Sequence, residues 1–332
     1  VRNVVKIVRI YFKIIYKSTV NNKRSFIFLL NFNNCMKKIA VITRTKSRNL
    51  LLKRCLESLL RQTYKNITWV IVNDNGDIKG VEIIATEARM AGLDTKVINR
   101  EISKGVAAAA NNGIKDSESE LIHIHDDDDT IEPSFYEEVV SYLDAKPHYM
   151  GVVTCTNRID EEIVNNKVFI IDNYKYYHLD GSIYISDLVW KNQFSPISFV
   201  YRRCVFDFID LYDESLPVLE DWDFNLRFAI KYDIGAISKF LANYHWRINS
   251  NTGGMTQTVI SGSGLHQEYT AVIRNKMLRQ DLENGKSGLG LLMSLGRFQQ
   301  LQVNSIKLVD DKVNASLFLR HFIKKIVHRV RR

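Results

Sequence analysis

The amino-acid sequence predicts an α/β fold, a mostly parallel central sheet flanked by helices, with a helical C-terminal extension. Three observations point there. Over residues 38–155, short apolar runs alternate with amphipathic helical stretches, the pattern of right-handed βαβ units. Polar and acidic residues gather at the ends of the apolar runs, where ligands bind in such sheets. The chain has 332 residues, 45% of them hydrophobic and 25% charged, enough to bury a large core without disulfides.

The elements follow in order. Residues 39–43 form a first apolar strand, and 50–62 place Leu51, Leu52, Cys55, Leu56, Leu59 and Leu60 at helical spacing. Strands are expected at 67–72, 95–99, 121–124 and 151–155, and helices at 83–91, 106–114 and from Pro133 to about 143. Residues 157–177 read as a hairpin turning near Asn165-Asn166. Two helical stretches lie within 186–234, the second over 220–232, with an apolar run at 197–201 between them. A last strand runs from 234 into His245-Trp246-Arg247. Residues 251–262, rich in Gly, Ser and Thr, read as a loop, and helices follow at 264–284 and 287–302.

The net charge of +9 is concentrated at the ends. Residues 1–35 carry +7, residues 316–332 carry +6, and the body between them carries −4. A basic nucleic-acid groove across the fold is therefore not expected, nor is any nucleic-acid motif found. Residues 316–332 place Leu319, Phe322, Ile323, Ile326, Val327 and Val330 on one helical face and basic residues over most of the rest. Such a tail suits an anionic membrane surface. No run approaches the roughly 18 apolar residues of a spanning helix. MKKIAVIT from Met36 reads as a start directly before the first strand, so residues 1–35 are expected to be a basic extension, either not native or a membrane arm. The expected organisation is that extension at 1–35, an α/β domain at 36–250, a loop and helical extension at 251–315, and the basic tail at 316–332. The four cysteines, Cys35, Cys55, Cys155 and Cys204, lack metal-ligand spacing and read as reduced thiols of a cytoplasmic protein.

The strongest chemical signal is His125-Asp126-Asp127-Asp128-Asp129, at the end of an apolar strand. Adjacent carboxylates repel unless a cation or donor sits among them. Alternation along an extended segment aims Asp126 and Asp128 at one site, and oxygen ligands with substrate phosphates suit Mg²⁺ or Mn²⁺. Asp129 is a candidate N-cap for the helix that follows.

The chain resembles a family 2 glycosyltransferase of the GT-A fold from about residue 38 to 247. The likeness rests on six phrases in order: VITRTKSR at 41–48, SLLRQTYKN at 58–66, VNDNG at 72–76, GVAAAANNGI at 105–114, the acidic turn 126–129 with Pro133, and LEDWDFNLRF at 219–228. The resemblance implies that Thr45, Arg48 and Asp74 line the nucleotide pocket and that Lys104 lies where a loop closes over the nucleotide. Asn112 falls in the Ala-rich phrase that contacts the donor. It also implies that Asp126 and Asp128 hold ribose and metal-bound diphosphate, and that Asp221 takes the proton from the acceptor hydroxyl, with Glu220 as alternative base. His245 falls where some relatives supply a further metal ligand. Trp222 is a candidate floor for the acceptor site, and tyrosines among 174–190 are candidates for stacking on sugar. Departures from the pattern are Arg44 for a proline, Asn73 for an acid and Asn111 for an arginine, a loss that Arg247 or Lys104 is expected to offset.

The implied reaction is inverting transfer from a nucleotide sugar, UDP-linked by default, to an acceptor hydroxyl of a cell-envelope or capsular glycan, at the inner face of the plasma membrane. A non-catalytic protein of the same shape that holds a nucleotide sugar or glycan is the alternative. A nucleotidyltransferase is disfavoured because residues 43–50 lack its Gly-rich signature.

Overall fold

The computed structural model describes residues 37–248, 263–285 and 287–330, and of residues 314–330 the backbone only. The extension at 1–35, the loop at 251–262 and the side chains of the basic tail lie outside the described residues.

Strand β1 (Ile39–Thr45) is buried along its whole length, as expected of a parallel strand covered on both faces. It pairs in parallel with β2 (Ile67–Asp74) and β4 (Leu121–Ile124), and β2 pairs in parallel with β3 (Asp94–Arg100). Between them run α1 (Asn49–Leu60), α2 (Ile78–Met90) and α3 (Val106–Lys115). α1 buries Leu51, Leu52, Cys55, Leu56 and Leu59 against the sheet. α3 starts after Gly105, at φ 90°, a conformation only glycine adopts freely. A β-carbon on Gly113 would sit 2.4 Å from Ile42 Cγ2, which lets α3 lie close on β1.

Beyond β4 the sheet becomes mixed, where the sequence predicts a mostly parallel one. Residues 199–202 form β9 (Phe199–Arg202), which is antiparallel to both β4 and β6 (Gly151–Val164). β6 is far longer than the expected 151–155 and pairs in parallel with β10 (Ile234–Arg247). The short β5 (Thr130–Ile131) and β8 (Gly181–Ser182) are antiparallel to β10. The order is β3-β2-β1-β4-β9-β6-β10-β5. The hairpin turns at Asn165 and Asn166, both with positive φ (50° and 57°), the geometry of a two-residue primed turn. Its second strand, β7 (Lys167–Tyr177), extends β6 past the end of β9.

Helices α4 (Phe135–Ala145), α5 (Ile185–Trp190) and α6 (Glu220–Lys231) pack on the sheet. α7 (Ser263–Glu283) leads to α8 (Leu289–Val330), one continuous helix of 42 residues that includes most of the segment expected as a separate tail. Among the described residues no helix is long and apolar enough to cross a membrane. Cys55, Cys155 and Cys204 are free thiols.

Candidate active site

The carboxyl ends of β1, β2 and β4, the start of α6 and the ends of β7 and β10 surround a cavity of about 690 Å³. Asp126, Asp128, Thr45, Arg48, Asp74, Glu220 and Asp221 all line it. Two residues lining it, Ser47 and Leu219, have positive φ (53° and 63°). For leucine this left-handed backbone is costly; at Leu219 it turns the chain so that α6 begins with Glu220 and Asp221 at the cavity.

The acids are held by guanidinium groups. Arg44 donates to both oxygens of Asp126, through Nε and Nη2 at 2.7 Å each, and through Nη1 to Glu220 Oε1 at 2.8 Å. It thereby ties the end of β1 to the acidic turn and to α6. Arg48 reaches Asp127 Oδ2 at 3.0 Å and Asp128 Oδ2 at 3.3 Å, and Arg247 Nη2 donates to Asp128 Oδ2 at 2.6 Å. Although burial works in the other direction, Arg48 and Arg247 hold the Asp128 carboxyl well below the usual range. Asp127, fully buried, is pushed up to about 6 by its burial, against the pull of Arg48. Asp129 does not cap α4; it accepts the His245 backbone N–H at 3.0 Å, and burial beside Asp128 raises its pKa strongly.

Asp221 differs from these acids. Its Oδ2 accepts from Asn192 Nδ2 at 2.7 Å and its Oδ1 from the Trp222 backbone N–H at 2.8 Å. Burial, then the neighbouring Glu220 charge, raise its pKa to about 7. A carboxylate poised there is suited to accept a proton near neutral pH. Glu220, paired with Arg44, is less available for that task.

Asp74 lines the cavity and is fixed by Ser103 Oγ at 2.6 Å, the N–H groups of Lys104 and Gly105 at 3.3 Å each, and Arg100 at 3.1 Å. Lys104 contributes its backbone there, while its side chain is exposed.

Four expected site residues lie elsewhere. Asn112 is on the exposed face of α3; its buried neighbour Asn111 instead pins the loop before α6 through Tyr212 and Glu214. Trp222 is 2% exposed and donates to Leu188 O at 2.8 Å, so it packs the core rather than flooring a sugar site. Arg247, 2% exposed, stands behind Asp128 and outside the cavity lining. His245 is 4% exposed, with Nε2 on Thr130 Oγ1 at 2.9 Å and Nδ1 on Glu161 Oε2 at 2.8 Å. Both ring nitrogens are engaged within the protein, and the ring braces the acidic turn rather than offering itself to a metal.

Among the described residues no cluster of three or more His, Cys, Asp or Glu side chains is arranged to cage a metal. Mg²⁺ and Mn²⁺ sites commonly use one or two carboxylates and complete the shell with water and substrate phosphates. Asp126 and Asp128 on the cavity wall fit that arrangement, with Arg44, Arg48 and Arg247 competing for their oxygens.

Tyr176 and Tyr177, among the tyrosines expected to meet sugar, do line the cavity, whereas Asn192, Tyr244 and Trp246 escaped the sequence reading. Arg44, noted there only as a departure, is the central cation. Tyr184 and Trp190 do not reach the cavity.

An α/β chain with paired carboxylates at the strand ends and a further acid lining the same cavity has the architecture of a nucleotide-sugar-dependent transferase. The family model for glycosyl transferase family 2 matches residues 40–205, and the chain belongs to that family. An uncharacterized glycosyltransferase of Bacillus subtilis, YwdF, is 30% identical over 202 residues, covering 59% of this chain and 70% of its own. The minor teichoic acid biosynthesis protein GgaB of the same organism is 26% identical over 230 residues, 66% of this chain but 24% of its own length. In structure the chain is similar to TarS residues 1–349 of S. aureus, crystallised with UDP-GlcNAc (TM-score 0.53, 20% identity, covering 64% of this chain and 60% of TarS 1–349). The fold is thus the GT-A fold that the sequence resemblance implies.

Proposed function

We propose that this glycosyltransferase transfers a sugar, with inversion, from a UDP-linked donor to an acceptor hydroxyl of a cell-envelope glycan. The observation that carries the reading is the convergence on one cavity of Asp126 and Asp128 with Asp221, whose pKa is raised to about 7. The names of GgaB and TarS's bound UDP-GlcNAc support the envelope glycan and the UDP donor.

Asp74 and Thr45 bind the nucleoside end of the donor, and Asp126 and Arg48 orient its diphosphate. Asp128, with Asp126, would hold Mn²⁺ or Mg²⁺, which supplies positive charge against the charge developing on the departing diphosphate. Asp221 accepts the proton of the acceptor hydroxyl as that oxygen attacks from the opposite face of the sugar. Asn192 orients this carboxylate, and Arg44 neutralises Glu220 so that one negative charge rather than two faces the acceptor. The basic tail brings the enzyme to the anionic inner face of the membrane.

A thermal-shift panel of UDP-, GDP-, dTDP- and CMP-sugars with and without Mn²⁺ tests the reading. Selective, Mn²⁺-dependent stabilisation by UDP-sugars, with donor hydrolysis lost in Asp128→Ala, is expected. Equal shifts with Mn²⁺ and with a chelator, or hydrolysis retained by Asp128→Ala, would refute metal dependence. Donor binding with no turnover under any condition would favour the non-catalytic alternative.

A further inference from the structure

Helix α8 is docked at its start and free beyond. In its first turns Met293 is fully buried, and a β-carbon on Gly296 would sit 3.3 Å from Val189 O and 3.4 Å from Trp190. Arg274 of α7 fastens this part, donating to Met293 O and, at 2.6 Å, to Trp190 O. After Gly296 no described side chain of the helix is buried, although the backbone runs on as helix to Val330. Residues 297–313 alone make a free rod about 25 Å long.

That rod is not polar all round, as a helix standing alone in water would be. Leu291, Leu295, Phe298, Ile306, Val309 and Val313 are between 41% and 67% exposed. At 3.6 residues per turn they fall within about 80° of one another, on the side away from Met293 and Gly296. Leu292 and Leu301, also exposed, widen the stripe at its two edges. With about half of each side chain in water, the stripe presents on the order of 800 Å² of apolar area, one partner's share of a standard interface. An ordinary monomer rarely exposes so large a patch.

The order of residues along the stripe is self-complementary. Leucine and phenylalanine fill its first half and β-branched residues its second, with Gln302 on the same face midway between. Turned end for end about Gln302, a second helix sets Leu291 opposite Val313, Leu295 opposite Val309 and Phe298 opposite Ile306, each pairing made twice. Large side chains then face smaller ones throughout, and the two Gln302 amides meet on the axis, where each can donate and accept. A parallel pair would set Phe298 on Phe298 and bring the two Lys312 charges to one edge. Lipid is a poorer match, since helices that lie on membranes carry Lys and Arg over the polar face. Here Gln299, Ser305 and Asp310 flank the stripe, and 289–313 holds Arg297, Lys307 and Lys312 against Asp310 and Asp311. The same near-balance gives no pull on the basic residues 1–35. We infer that α8 joins two copies of this chain as an antiparallel two-fold dimer, through the apolar face of residues 291–313.

Analytical ultracentrifugation of the full chain over a range of concentrations, without lipid, tests the inference. A monomer–dimer equilibrium with a micromolar or tighter dissociation constant is expected. Val309→Glu should weaken it about a hundredfold, since the charge enters each dimer twice. Lys307→Glu, on the opposite face of the helix, should leave it unchanged. Val309 is exposed in the single chain, so unaltered thermal melting of Val309→Glu separates a lost contact from a lost fold. Under oxidation Gln302→Cys should link the dimer above the wild-type background. Leu291→Cys should not, because antiparallel pairing holds its two copies about 33 Å apart. A chain monomeric at every concentration, undiminished pairing in Val309→Glu, no linkage through Gln302→Cys, or linkage through Leu291→Cys would each overturn the antiparallel dimer. A monomer that binds phosphatidylglycerol vesicles, and loses that binding in Val309→Glu, would give the face to lipid instead.

Discussion

Replacing Asp221 by Asn separates catalysis from stability with a sign that is easy to check. The carboxyl has its pKa raised to about 7 from an ordinary 3.8 by burial and by Glu220. A raised acid favours the protonated form in the folded state. It therefore destabilises the fold as pH climbs from about 4 to about 7, and by a constant amount above that. At 1.36 kcal/mol per pKa unit the full penalty at pH 8 is about 4 kcal/mol, and at pH 5 about 1.6 kcal/mol. Asp221 is part-exposed at the cavity wall, so water reduces both; we take about 1 kcal/mol for the difference between the two pH values. Asn carries no such penalty but opposes its amide to the Asn192 Nδ2 donor, a loss that is the same at both pH values and cancels in the difference. Asp221→Asn should therefore gain about 2–4 °C in Tm relative to wild type on going from pH 5 to pH 8. Its transfer rate should fall by about 10²–10⁴. Wild-type kcat/KM should rise with pH to a plateau above about 7. Parallel Tm profiles for the two proteins, or a rate flat between pH 5.5 and 8.5, would show that the carboxyl is neither raised nor the base.

Other perturbations probe the cation lattice and the core. Arg44→Ala leaves the buried Glu220 unpaired and should cost about 3 kcal/mol in urea unfolding, and Arg44→Ala/Glu220→Gln should recover much of that. Arg44→Lys keeps the charge but loses the bidentate grip on Asp126, and should raise donor KM about tenfold in steady-state assays. Trp222→Phe should lower stability by about 1 kcal/mol through the lost bond to Leu188 with acceptor KM unchanged; a raised KM would return Trp222 to the acceptor site. Gly113→Ala forces a methyl against Ile42 and should cost about 1–3 kcal/mol in the same unfolding assay.

The parallel half of the sheet was legible because its signals are local: short apolar runs, buried in β1, β2 and β4, separated by amphipathic helices. The mixed half was not. β9 finds β4 across more than seventy residues, with Tyr201 opposite Ile122, and nothing in the run 199–202 encodes an antiparallel partner. In the site the carboxylates could be read from their phrases, whereas their pairing with Arg44 at the end of β1 and Arg247 at the end of β10 joins elements far apart along the chain. Asn112 shows the limit of a phrase. In α3 Ala107 to Asn111, Gly113 and Ile114 are all buried, Ala108 and Ala109 one turn before Asn112 among them, so helical phase alone does not separate Asn111 from Asn112. A motif gives the position along the chain; the elements packed around the helix decide which way it faces.

The same reasoning explains why one strand serves both sides of the chemistry. On β10, Tyr244 and Trp246 line the cavity, while His245 and Arg247 are buried against Glu161 and Asp128. Alternate residues of a strand point oppositely, so this division depends on register. That register is set upstream by irregularities: from Ile237 to Ala242 β10 advances five residues while β6 advances two, from Thr154 to Thr156. An even excess would preserve the parity between the strands, and the observed excess of three inverts it. With one residue fewer, the indole and phenol would turn toward the acidic turn, and the imidazole and guanidinium toward the cavity. Asp128 would then lose one of the two guanidinium groups that hold its carboxyl ionised. The bulged segment 238–241 contributes no side chain to the cavity, yet it determines which residues of β10 hold the acids and which line the cavity.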